Sequence, residues 1–321
     1  MQISRFERLL GMLAQLNGPQ LRVIKSKVGE RDQLEEVKGL AEKRRVALGA
    51  CPHCGGVDPW RWGTTASGQS RFKCRACEKT FTPLTGTGFE KLRNKHKLIE
   101  NAACMAEGLS VRATAERLQV NPKTAYLLRK KFMPLLEKHQ PMMLAGMLEA
   151  DEAFFRKSYK GLRSGMPRKS YKRGTPAMKR GINDEHTAVL TTIQRGTPEC
   201  HIAILPSVPT MASVNAALEG AIAPGSVLCT DGSKVYVPVG PMQGVEVHSV
   251  TSAEHVDGPI HVQTVNALHS RMKAWLYGFK GVATRNLALY LAWFRFFDHD
   301  KSRPTWPGFV LDSFGVPTFN T

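Results

Sequence analysis

Acid is scarce in this chain. Its 321 residues hold 27 Asp and Glu against 45 Lys and Arg, a formal net charge of +18, and the pI is near 9.8. That balance excludes a surface built for cationic partners and makes nucleic acid the expected one. Long apolar runs are missing too. No stretch approaches the roughly 20 residues that a membrane-crossing helix needs, so no membrane partner is expected. The opening Met1-Gln-Ile-Ser-Arg-Phe-Glu-Arg has no apolar segment of the kind a secretory signal carries. Cysteine is sparse, seven in all, which speaks against a disulfide framework and for a reducing compartment, the cytoplasm. What remains is ordinary globular material, 42% hydrophobic, enough for two or three domains with one sizeable core.

The few cysteines are not all scattered. Cys51-Pro-His-Cys54 is followed, after nineteen residues, by Cys74-Arg-Ala-Cys77. Two residues between ligands let one tight turn aim both sulfurs at one metal, so the two pairs read as the knuckles of a zinc ribbon over residues 49–82. The stretch between them reads as a short hairpin. Two structural disulfides are the alternative, disfavoured by the missing signal. Cys104, Cys200 and Cys229 stand apart.

Residues 1–48 read as a helical arm. Phe6, Leu9, Leu10, Leu13 and Leu16 recur at helical spacing, and a second helix is expected from about Arg31 to Leu48. Residues 88–140 form a helical region containing a helix-turn-helix pattern, Gly108 to Lys131. Ser110 caps its first helix, Val120 sits at the turn, Asn121 caps the second and Pro122 starts it. The second helix is expected to offer Lys123, Thr124, Arg129, Lys130 and Lys131 to double-stranded DNA.

From Gly146 the pattern turns to short apolar strands. Three are expected at 147–155, 187–194 and 200–205, then a helix at 211–222, strands at 226–231 and 245–250, and helices at 262–277 and 284–297. This order predicts a ribonuclease-H-like α/β domain over 146–298, a mixed five-stranded sheet with flanking helices. Between its first two strands, residues 156–183 hold ten Lys or Arg and no acid. That segment is expected to be a phosphate-binding loop led by Arg168, Lys169, Lys172 and Arg173. The tail at 299–321 has no assigned role.

Two aspartates end apolar runs: Asp151 on the first strand and Asp231 on the fourth, the latter followed by Gly232. Carboxylates on adjacent strand ends can hold Mg²⁺ or Mn²⁺ and share it with substrate phosphates. The helix at 262–277 adds Asn266, His269, Ser270 and Lys273 on one face. The amide of Asn266 can ligate a metal, more weakly than a carboxylate, and Lys273 can meet a phosphate. Glu152 is expected on the opposite face of the strand from Asp151.

These segments together resemble bacterial insertion-sequence transposases with an N-terminal zinc ribbon and an ISXO-two-like catalytic domain. Leu148-Glu-Ala-Asp151-Glu, Thr230-Asp231-Gly232 and Thr264-Val-Asn266 through Lys273-Ala-Trp-Leu carry the resemblance. It implies a DDE-type transposase, with Asp151 and Asp231 as metal ligands and Lys273 matching a lysine of the motif. Asn266 stands where most such enzymes have glutamate, although some members carry Asn. It further implies two-metal cleavage at terminal inverted repeats, strand transfer, a homo-oligomer and a nucleoid-associated bacterial protein. A DNA-binding protein with an inert catalytic domain is the alternative that Asn266 favours.

Overall fold

A computed structural model describes residues 4–66, 68–137, 141, 143–162, 164–168, 178–250 and 260–298. The expected tail at 299–321 and three loop cations, Lys169, Lys172 and Arg173, lie outside the described residues. The chain divides after Phe132 into two compact units.

The first unit opens on helix α1 (Arg5–Ala14), started by a capping box in which Ser4 and Glu7 each bond the other's backbone N–H. Helix α2 (Gly18–Leu48) begins well before the expected Arg31. The signal lies in Asn17-Gly-Pro-Gln20. Asn17 accepts from the Gln20 N–H, Gln20 returns the bond, and a proline occupies the first turn. Only the second half of α2 is buried, through Val37, Leu40, Ala41 and Arg44. Strands β1 (Trp60–Thr64), β2 (Ser70–Lys73) and β3 (Thr80–Phe81) make an antiparallel sheet in that order. Helices α3 (Leu98–Ala106), α4 (Val111–Arg117) and α5 (Pro122–Leu136) follow. Ser110 accepts from the Ala113 N–H at the start of α4, and Asn121 Oδ1 accepts from the Lys123 N–H at the start of α5. Both caps are where the sequence puts them. Leu98, Ala102, Met105, Leu118 and Phe132 are buried completely.

The second unit holds the larger sheet. Its strands are β4 (Met147–Arg156), β5 (His186–Gln194), β6 (Cys200–Leu205), β7 (Val227–Thr230) and β8 (Glu246–Ser249). They lie in the order β6-β5-β4-β7-β8. The first three pair antiparallel as a meander, and β4–β7 and β7–β8 pair parallel. A meander extended by two parallel crossover strands is the ribonuclease-H-like arrangement. Helices α6 (Met211–Leu218) and α7 (Val239–Gln243) pack with Leu148, Ala150, Ala188 and Leu190 on one face of the sheet. Helices α8 (Gln263–Gly278) and α9 (Leu287–Asp298) contact the sheet too, and an aromatic cluster joins them: Trp275 lies 5.1 Å from Trp293, edge to face. The apolar α9 is buried along nearly its whole length, as its composition requires.

Strand alternation sends Glu149 and Asp151 to the face opposite Leu148 and Ala150. There Glu149, with no exposed surface, accepts from the Thr264 and Val265 N–H groups at 2.7 and 2.9 Å and from the Thr264 hydroxyl at 2.7 Å. Arg195 Nε donates to it at 2.5 Å, and His261 Nδ1 is 3.1 Å away. A carboxylate is favoured at a helix N-terminus, where N–H groups lack intrahelical partners. Glu149 therefore pins the first turn of α8 to the central strand.

Removing one partner of a buried charge pair leaves the other uncompensated. We expect Glu149→Ala to destabilise the second unit by about 3–5 kcal/mol, measured by urea unfolding followed through tryptophan emission. A loss under about 1 kcal/mol would show that α8 is held by its apolar contacts alone.

Candidate functional site

The four motif cysteines converge. Their sulfurs all lie within 4.8 Å of one another, with Cys51–Cys77 at 3.8 Å and Cys54–Cys74 at 3.6 Å. A disulfide would need about 2.05 Å, so all four are free thiols. Tetrahedral zinc with bonds of about 2.3 Å sets its sulfurs about 3.8 Å apart, and the cluster fits that spacing. Backbone N–H groups of Cys77 and Ala76 favour the thiolate of Cys74, whose pKa falls to about 7 despite burial. Phe72 and Phe81 stack behind the cluster at 5.8 Å and close one side of it. The arrangement is that of a closed structural zinc site.

In the helix-turn-helix region, Lys123 and Lys130 are exposed and Thr124 is half-buried. Arg129 departs from expectation. It is buried completely, and its Nη2 donates to the Leu109 carbonyl at 2.6 Å and to Thr114 Oγ1 at 3.0 Å. The helix period explains this: Arg129 follows Ala125 by one turn, on the side that carries Leu128 and Phe132 into the core. Its guanidinium ties α5 to α4 and to the turn before α4, so it is removed from the set facing DNA. Lys131 is also engaged, donating to the Gly88 carbonyl at 2.5 Å.

The second site forms where β4 and β7 run parallel. The register pairs Met147 with Val227 through Glu149 with Cys229, and continuing it sets Asp231 level with Asp151. Asp231 follows the last residue of β7, and Gly232 has φ +81°, a left-handed turn that releases the chain from the sheet. Asp231 Oδ1 accepts from the Ser233 N–H at 3.0 Å and stays exposed. Asp151 is more enclosed. Burial pushes its pKa up to about 6, and the charge of Asp231 pushes the same way, against the Glu152 N–H and Lys273. Two facing carboxylates whose charges oppose each other are suited to a divalent cation.

Helix α8 covers this point. His269 is buried, with Nδ1 3.5 Å from Asp151 Oδ2. Burial holds its pKa down at about 4, aided by Lys273, so the ring is neutral near pH 7. Asn266 and Lys273 are exposed on the same helix face. Ser270 is exposed, and its hydroxyl donates back to the Asn266 carbonyl of the same helix at 3.0 Å. Past Lys273 the surface opens into a cavity of about 360 Å³, rimmed by Lys273, Tyr277 and Lys280 over Phe155 and Leu276.

Glu152 lies on the other face, as alternation requires, where the Tyr236 hydroxyl donates to it at 2.9 Å. Burial raises its pKa to about 7 against that bond, with the charges of Asp151 and Asp231 adding to the rise. Glu246 lies on β8 with its carboxylate 2.7 Å from His248. In the basic loop, Arg168 is half-buried, donates to the Lys157 carbonyl at 3.2 Å and packs over the Tyr159 ring. Sequence reasoning passed over Glu149. Its signal was present: an acid in an otherwise apolar strand, two residues before Asp151 and so on the same face.

Residues 143–297 match the ISXO2-like transposase domain family. The chain is also similar to an uncharacterized protein in transposable element ISH50 of Halobacterium salinarum, 27% identical over 250 residues, covering 76% of this chain and 83% of that protein. That relative is archaeal, and the expected bacterial origin finds no support in it. Two solved structures with weak likeness are a simian T-cell lymphotropic virus intasome in complex with PP2A regulatory subunit B56 gamma and the Mos1 strand transfer complex. The first is 9% identical, spans 64% of this chain and 76% of that one, and has a TM-score of 0.30. The second is 14% identical, spans 70% and 79%, and has a TM-score of 0.23. No helix among the described residues is long and apolar enough to cross a membrane.

Purified protein is expected to carry one zinc ion per chain by elemental analysis, and Cys74→Ser to lose it. Protein grown with zinc and isolated without it would show that the cysteine cluster has another purpose.

Proposed function

We propose that this chain, which carries an ISXO2-like transposase domain over residues 143–297, cuts DNA at the ends of a mobile element and joins the freed 3′-hydroxyls to target DNA. The observation that supports this best is the convergence of Asp151 and Asp231 on neighbouring parallel strands beneath the α8 face of Asn266, His269 and Lys273. The two aspartates would hold Mg²⁺ or Mn²⁺, with the Asn266 amide as a neutral third ligand. Divalent cations there supply an activated water or hydroxyl and a stabilised leaving oxygen.

The chain's own residues set the geometry. His269, neutral and buried, backs the Asp151 carboxylate, its Nδ1 3.5 Å from Oδ2. Glu149 fixes the helix that carries Asn266, His269 and Lys273. Lys273 reaches a phosphate beside the cut, and the cavity past it has room for a flanking nucleotide. The zinc ribbon and the helix-turn-helix bind the terminal inverted repeats through Lys123, Thr124 and Lys130. Arg168, with Lys169, Lys172 and Arg173, adds sequence-independent phosphate contacts. Work on two ends calls for a homo-oligomer.

Asn266 favours a second reading, a DNA-binding protein that has lost catalysis, because an amide brings no charge to the metal. The retained pair of aspartates and Lys273 count against it.

Cleavage of end DNA in Mg²⁺ or Mn²⁺ separates the two. Asp231→Ala should lose activity by more than the roughly 10–100-fold that even an outer-shell substitution costs, and should still bind DNA. Asn266→Ala should lower activity and Asn266→Glu retain part of it. Wild-type rates in Asn266→Ala would remove the amide from the ligand set, and an Asp231→Ala protein that still cleaves would remove Asp231. A salt titration tests the recognition helix. Lys130→Ala should reduce the slope of log affinity against log salt by about 1, whereas Arg129→Ala should lower thermal stability.

A further inference from the structure

The ribbon sheet has two unlike faces. One carries Phe72 and Phe81 against the cysteines. On the other, the register sets Trp60 opposite Lys73 and Lys73 opposite Thr80, and alternation adds Trp62 and Arg71. Trp60 and Trp62 are 41% and 44% exposed, far from the buried norm for indoles. Their rings meet edge to face at 4.6 Å, and Lys73 Nζ lies 5.2 Å from the Trp62 ring centroid. Gly63, at φ +81°, falls within the register irregularity between Arg61 and Thr64 and turns β1 at this point. None of the three strands contains an acid. Arg71 donates to Thr80 Oγ1 at 3.0 Å and lines, with Thr64, Thr85, Lys91 and one acid, Glu90, a hydroxyl-rich groove that continues the face.

We infer that this face is a stacking platform for unpaired DNA bases. Indoles gain from bases only where a base presents its ring face, which a continuous duplex hides and an unpaired strand exposes. The cations fit the charge of such a strand. A base stacking on Trp62 displaces Lys73 to the adjacent phosphate, and Arg71 with the threonine hydroxyls follows the backbone. Resting on the transposase reading, the strand would be one freed when an end is opened or cut.

The probe is an oligothymidine of about 16 nucleotides, which carries no end sequence. Wild-type protein is expected to bind it with quenching of tryptophan emission. Trp60→Ala/Trp62→Ala should weaken that binding at least about tenfold, keep its zinc, and bind blunt duplex as wild type does. Trp60→Phe/Trp62→Phe keeps the ring faces, so it should retain most of the affinity while losing most of the quenching, and it serves as the test if the alanine pair loses zinc. Unchanged oligothymidine affinity in the alanine pair, or undiminished quenching in the phenylalanine pair, overturns the platform. An equal loss for duplex and oligothymidine overturns it as well, in favour of plain backbone contact. Protein that cleaves end DNA but ignores oligothymidine sinks the platform alone; protein that binds oligothymidine through the indoles but cleaves no end DNA sinks the transposase reading alone.

Discussion

The buried carboxylate of Glu149 is the contact on which the placement of α8 against the central strand depends. It belongs to the central strand, and its partners are the first N–H groups of α8, the Thr264 hydroxyl and the Arg195 guanidinium. Arg195 also donates to the His261 carbonyl at 2.7 Å, so the chain entering α8 is held from both sides. A helix laid on a sheet by apolar packing alone can slide or rotate with little change in buried area. Directed bonds to a single fixed carboxylate remove that freedom. Two residues along β4, Asp151 meets His269 of the same helix. One strand thus supplies both the anchor, Glu149, and Asp151, the carboxylate proposed to bind metal, and the distance between them is set by the pleat.

The ribbon and the second unit are stabilised by different means because they differ in what they can bury. The sheet of the second unit is covered on its α6 side by a contiguous apolar cluster, from Leu144 to Val245. The ribbon's own cluster is small, the cysteines with Phe72 and Phe81, too little to order three short strands without further cross-linking. Four thiolates gathered around one zinc would supply that linkage and leave the far face free of any packing duty. The exposed indoles stand on that far face, so binding chemistry there does not compete with stability. The same separation divides the two candidate metal sites. Four soft thiolates with no open position suit zinc and hold structure, whereas two carboxylates at strand ends suit a hard cation that must still accept substrate oxygens.

Much of this was readable in the sequence where one residue type has one dominant physical use. The C-x-x-C pairs, the Ser110 and Asn121 caps and the succession of strands along the chain fall in that group, since turn geometry, orphan helix N–H groups and short apolar runs are local properties. The early start of α2 was legible too, in Asn17 and Gln20, but was masked by a polar stretch without a clear apolar stripe. Arg129 was not legible from charge. A cation on an exposed-looking helix reads as a DNA contact, and only the tertiary position of Leu109 and Thr114 makes it a buried tie. Glu149 failed in the same way, since its partners lie from 46 to 116 residues along the chain. Sequence reasoning is weakest for buried polar groups, because their meaning depends on a partner that no local pattern names.

That weakness bears on how Asn266 should be understood. In isolation an amide in place of a carboxylate reads as a lost ligand. In its setting the site already concentrates negative charge: Asp151 and Glu152 are both pushed toward the neutral form by burial, each feeling the other or Asp231. A third carboxylate on α8 would add repulsion in the metal-free protein and raise those values further. The uncharged His269 behind Asp151 adds no cation to balance it, and Lys273 lies two turns from Asn266 on the exposed side. An amide still offers an oxygen to a metal while leaving the charge of the cluster unchanged. On the proposed reading, Asn266 would trade metal affinity for less repulsion among the carboxylates, which is compatible with catalysis wherever substrate phosphates complete the coordination.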